Sequence, residues 1–80
     1  AVQSKNRRLS VGAVVHGYVL FVKAPFVRVE LMPGTEASLH FNDIVQDGGF
    51  VEDRFRPGDT IAVRVLGTDD RGNIRIEQAH

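Results

Sequence analysis

Residues 11–22, VGAVVHGYVLFV, decide the fold. The stretch is nearly all apolar or aromatic, is rich in Val, and carries Gly17 near its middle. Branching at Cβ disfavours a helix and suits a pleated, half-buried surface, so the run reads as one long strand. A strand of this length must bend if it belongs to a small barrel, and Gly17 supplies a place to do so.

The neighbouring segments are short and can be laid against it. Lys23-Ala24-Pro25 turns the chain into residues 26–31, which alternate strictly. Val27, Val29 and Leu31 are expected inward, and Phe26, Arg28 and Glu30 outward. Met32-Pro33-Gly34-Thr35 is a turn by composition. A third strand over residues 36–41 places Leu39 inward and His40 outward. A long connection over residues 42–59 is expected to hold one short helical turn near 42–45 and to end in the turn Arg56-Pro57-Gly58-Asp59. Strand four covers residues 60–66, with Ile61, Val63 and Val65 inward. A polar turn over residues 68–73 leads to the last strand, residues 74–77.

Five short strands with one long connection between strands three and four predict an all-β, five-stranded antiparallel Greek-key barrel. The count is too low for an immunoglobulin-like sandwich. Residues 1–9, AVQSKNRRL, have no hydrophobic period and read as a basic linker or flexible extension, so the domain itself is expected over 10–80. The chain starts Ala-Val-Gln rather than Met, which suggests a piece of a longer protein or a processed product.

Composition narrows the function. With 42% hydrophobic and 25% charged residues in 80, the chain is one small globular domain rather than a disordered segment. The absence of Cys removes a disulfide framework and any Cys-based zinc site. His16, His40 and His80 have no metal-ligand spacing, and neither a cofactor motif nor a nucleophile–base pair is visible, so no cofactor, metal or catalysis is expected. No apolar run matches a membrane-spanning helix, and no signal-peptide pattern opens the chain. Ten Lys and Arg balance ten Asp and Glu. A neutral domain lacks the broad basic field of a dedicated duplex binder, so any nucleic-acid contact should be local and modest.

Several features together resemble a known family. They are Val11-Gly12 at the start of a strand, Gly17, Leu39-His40 closing strand three, Pro57-Gly58-Asp59, and Val65-Leu66 followed by an Asp-rich turn and Gly72-Asn73-Ile74-Arg75-Ile76. Their order and spacing over residues 11–77 are similar to the S1 RNA-binding domain, an OB-fold module of ribosomal protein S1 and polynucleotide phosphorylases. The resemblance implies an S1-type OB barrel that binds single-stranded RNA as an accessory module of a larger RNA-processing or translation protein, in an intracellular, cytoplasmic setting. In that family the RNA face carries two aromatics around strand two, a His closing strand three, and an Asp and an Arg in the last turn. Here the His is His40 and the Asp is Asp69. The aromatic positions fall on Pro25, beside Phe26, and on Arg28, and the turn Arg falls on Asn73. Leu39-His40-Phe41 is also similar to the Val-His-Phe of cold-shock domains, whose exposed strand-one aromatic corresponds to Phe21.

The chemistry of the outward residues supports the same partner. Bases of a single strand offer π-faces, so a binding surface needs flat groups, and Phe21, Phe26, Arg28 and His40 provide them. Lys23 and Arg71 in adjoining loops would meet phosphates. A second expectation is that the RNA face has degenerated and the barrel docks another domain of its parent or a protein partner. An apolar patch around Tyr18, Leu20, Phe21 and Phe26 with few cations nearby would mark that case.

Overall fold

A computed structural model describes residues 10–45 and 48–79. The basic segment 1–9, with Lys5, Arg7 and Arg8, lies outside the described residues, as do positions 46, 47 and 80. Five strands form: β1 (Val14–Lys23), β2 (Phe26–Met32), β3 (Thr35–His40), β4 (Thr60–Thr68) and β5 (Ile74–Gln78). Between β3 and β4 run a 3₁₀ turn, Phe41–Asp43, and a one-turn helix, α1 (Val51–Arg54).

The strands close into a barrel in the order β1-β2-β3-β5-β4. Four pairings are antiparallel, whereas β3 and β5 run parallel, with Ala37 opposite Ile74, Ser38 opposite Arg75 and Leu39 opposite Ile76. The expected five-stranded barrel is thus the one that forms, mostly antiparallel, and its one parallel seam follows from parity. Each antiparallel pairing reverses direction, and five reversals around a closed ring cannot return to the starting direction.

The alternation read from the sequence is the one that packs. Val27, Val29, Ala37, Leu39, Val63 and Ile76 are fully buried, and Val19, Ile61 and Val65 nearly so. Burying a Val or Leu side chain contributes roughly 1.5–3 kcal/mol, which makes this interior the main source of stability. Ile44 and Phe55, from the long connection, complete the core at one end.

The first strand starts later than expected. Ala13 N–H donates to the Ser10 carbonyl at 2.9 Å, so Val11-Gly12 is a turn and pairing as a strand begins at Val14. β1 serves two partners. Residues 14–18 pair with β4 and residues 18–23 with β2, so Tyr18 lies opposite both Thr60 and Glu30. Gly17 sits beside this switch, as expected, and its reason is close approach. A Cβ there would lie 2.5 Å from Val29 Cγ1 and 2.9 Å from the Glu30 carbonyl oxygen. The register irregularity itself falls one step on, between Val19 and Phe21.

The turns follow their residue types. Pro33-Gly34 joins β2 to β3 with Gly34 at φ +82, the left-handed position that glycine occupies readily after a proline. The helical turn expected near 42–45 is shifted to Phe41–Asp43, because the His40 side chain caps it by accepting the Asn42 N–H at 3.0 Å. The sequence reading did not expect α1, whose four residues show no hydrophobic period. No helix among the described residues is long and apolar enough to cross a membrane.

Gly17→Ala should destabilise the domain by about 1–3 kcal/mol, since either β1 or β2 must shift to admit the methyl group. Urea unfolding measures it, and an unchanged midpoint would show that the two strands are not packed this closely.

Candidate nucleic-acid interface

The outer faces of β2, β3 and β5 present one continuous surface over the parallel seam. In register, Phe26 lies opposite His40 and Arg28 opposite Ser38, while Ser38 lies opposite Arg75 across the seam. A cleft of ≈ 470 Å³ runs there, lined by Phe26, Ser38, His40, Asp43, Asp69, Asn73, Ile74 and Arg75. It is bounded by the 3₁₀ turn at one end and by the β4–β5 turn at the other.

Phe26 is 43% exposed, so it does not fold into the core. Its ring meets His40 edge to face, with centroids 5.1 Å apart and planes at 89°. That arrangement is a favoured one for two π-systems and fixes both rings at the cleft wall. His40 Nδ1 is occupied as the acceptor for Asn42 N–H, so the neutral ring carries its proton on Nε2. The imidazole is thereby a donor on its remaining edge.

Arg28 is half-buried and held in place. Its Nε donates to Glu36 Oε1 at 3.0 Å, and its Nη1 to Ser38 Oγ at 2.6 Å. The guanidinium is thus laid flat along the β2–β3 surface, with its charge partly offset by Glu36. Phe21, 49% exposed, lies opposite Arg28 on β1, which extends the flat surface by one strand. Lys23 is exposed at the end of β1, opposite Phe26.

At the other end Asp69 organises the β4–β5 turn. Its Oδ1 accepts the N–H groups of Arg71 and Asn73, each at 2.9 Å, and its Oδ2 accepts Asn73 Nδ2 at 3.3 Å. The carboxylate is therefore directed into the turn, and it holds Asn73 over the cleft. The hydrogen bond from the Asn73 backbone is the main cause that keeps the carboxyl below its usual value of 3.8; desolvation opposes it, and the Arg71 backbone bond, the Asn73 side-chain bond and the nearby Arg71 charge tip the balance downward. Arg71 is exposed at the tip of the turn.

Four of the eight residues expected from the sequence line the cleft: Phe26, His40, Asp69 and Asn73. Arg28 adjoins it through Ser38, Phe21 and Lys23 lie on β1 opposite Arg28 and Phe26, and Arg71 lies in the β4–β5 turn; none of these four lines it. Sequence reasoning missed Ser38, Asp43 and Arg75. Arg75 was recoverable from the alternation Ile74-Arg75-Ile76, which turns it outward, whereas its position beside Ser38 depends on the parallel pairing. Its Nη2 lies 3.9 Å from Asp43 Oδ2 and its side chain is 61% exposed, so this cation remains open to a ligand. No group of three or more His, Cys, Asp or Glu able to hold a metal occurs among the described residues.

A closed five-stranded barrel with a cleft of aromatic rings and a guanidinium group belongs to the OB class of nucleic-acid-binding modules. The family model described as the S1 RNA binding domain matches residues 8–77, and the chain belongs to that family. The chain is 38% identical over 81 residues to the polyribonucleotide nucleotidyltransferase of Desulfotalea psychrophila, covering 96% of this chain and 11% of that protein. It is 35% identical over 74 residues to the same enzyme of Staphylococcus epidermidis, covering 91% of this chain and again 11% of the relative. Among solved structures, GSP13 from Bacillus subtilis superposes with a TM-score of 0.73 at 27% identity, covering 89% of this chain and 56% of that one. A chain of the a/eIF2alpha–aDim2p–rRNA complex from Pyrococcus horikoshii shares the fold, with a TM-score of 0.77 at 22% identity over 90% of this chain and 45% of the other.

Because its folded-state value is depressed, Asp69 contributes stability to the turn above pH 3.8, and this is lost as the pH falls through the lower, folded value. Amide NMR shifts of Arg71 and Asn73 should therefore titrate with a midpoint below 3.8. A midpoint at or above that value would contradict the hydrogen-bonding assigned to this carboxylate.

Proposed function

We propose that the domain binds single-stranded RNA weakly and with little sequence preference, by stacking bases on Phe21, Phe26, Arg28 and His40. The observation that carries this reading is the cleft over the β3–β5 seam, where a fixed pair of rings and the exposed Arg75 line one surface. Stacking contributes about 1–3 kcal/mol per base and accepts any base, because every base has a π-face. Lys23, Arg71 and Arg75 meet phosphates at the edges, and Asn73, held by Asp69, offers an amide to the sugar or base. Asp69 is then a positioning residue rather than a direct ligand.

Protein docking is less well supported. Tyr18, Phe21 and Phe26 are exposed, at 57%, 49% and 43%, but cations are interleaved with them. Arg28 stands opposite Phe21, and Lys23 stands opposite Phe26. Aromatics alternating with positive charge suit a nucleic-acid strand better than an apolar protein partner.

The module would serve a larger chain. The sequence spans 11% of the length of the nucleotidyltransferases it resembles, so the activity of its parent is a separate proposal. We assign the parent to RNA processing or translation in the cytoplasm, with this domain holding the RNA and taking no part in the chemistry.

The test is alanine at Phe26 and His40 together. Both side chains lie outside the core, so the double variant should stay folded while losing about tenfold or more in affinity for a short oligoribonucleotide. Unchanged affinity in the folded double variant would remove the stacking surface from this cleft.

A further inference from the structure

Among the described residues the most exposed large hydrophobic side chain is Phe50, at 74% exposure, in the long connection just before α1. It lines a second depression of ≈ 470 Å³ together with Phe41, Asn42, Gly49, Val51 and Glu52. The two hollows share a wall. His40 lines the first, the next two residues, Phe41 and Asn42, line the second, and the Asn42 N–H is bonded to His40 Nδ1. A strand leaving the cleft past His40 therefore reaches Phe50 after crossing a single 3₁₀ turn.

The second hollow lacks what the first offers a phosphate: Arg75 lines the first, whereas the ionisable lining group of the second is the carboxylate of Glu52. A neutral base needs no such cation. Phe50 offers a ring face, and the Asn42 amide and the Glu52 carboxylate offer groups that can pair with base edges, the carboxylate accepting an exocyclic amino group. An OB fold engages about 4–16 nucleotides, and Phe21, Phe26, Arg28 and His40 account for about four at most, so a longer strand has bases left to place.

We propose that Phe50 forms a separate base-stacking subsite of this domain, which receives an unpaired base of the same RNA strand after it passes His40 and makes no phosphate contact. The proposal rests on the RNA-binding reading of the main cleft.

The experiment compares oligoadenylates of about four and about eight nucleotides on the 80-residue chain by NMR shift titration at two salt concentrations. The variants are Phe50→Ala, Phe50→Trp and the Phe26→Ala/His40→Ala pair. Phe50→Ala should weaken the longer oligomer at least about fivefold, leave the shorter one unchanged, and leave the salt dependence as it was, because no counterion is released at a base-only site. Phe50→Trp should retain binding. If the double variant weakens both oligomers while Phe50→Ala weakens neither, the subsite is refuted and the main cleft stands. A lower salt dependence in Phe50→Ala would overturn the base-only assignment. If the double variant binds as tightly as the parent chain, the main cleft fails and the subsite falls with it.

Discussion

Closure with an odd number of strands is the constraint on which the rest of this structure depends. A ring of five cannot be antiparallel throughout, and here the unavoidable parallel pair is β3–β5. Parallel neighbours cannot be joined by a hairpin. The chain must leave β3, travel across one end of the barrel, form β4, and return into β5 from the far side. Both connections therefore flank the seam, and the cleft between them arises from topology before any side chain is chosen. The side chains then decide what it can hold: rings from Phe26 and His40, and a guanidinium from Arg75.

The interface is stiff where it is flat. Phe26 is braced by His40, His40 by the Asn42 amide, and Arg28 by Glu36 and Ser38. Fixing such side chains before a ligand arrives removes an ordering cost of roughly 0.5–1.5 kcal/mol for each. A neutral domain with few phosphate contacts has little electrostatic attraction to draw on, so this preorganisation carries a larger share of the affinity.

Most of the barrel was legible in the sequence because period-2 alternation is a local signal. Val27, Val29 and Leu31, then Ile61, Val63 and Val65, are buried as the pattern requires. The His40, Phe26 and Arg28 positions were legible for the same reason, as outward members of alternating strands. What was not legible depended on pairing between distant strands. Arg75 reads as a solvated residue until β5 is placed beside β3, and the late start of β1 follows from a turn bond at Ser10 that composition does not reveal. The α1 helix was missed because a single turn has no period to detect. Tyr18, where β1 changes partners, is 57% exposed.

The sharing of β1 between β2 and β4 also shapes how the domain comes into being. β1, β2 and β3 form a meander through near neighbours in the chain, whereas Val14 finds Arg64 and Leu39 finds Ile76 only after most of the sequence is available. Contacts between such distant residues slow folding, since the loop must be closed before they can reward it. On a ribosome the meander emerges first, with the β1 and β3 edges unpaired until β4 and β5 follow. The last part of the domain to be made is thus the part that seals both edges, and until then those edges are open to pairing with other chains.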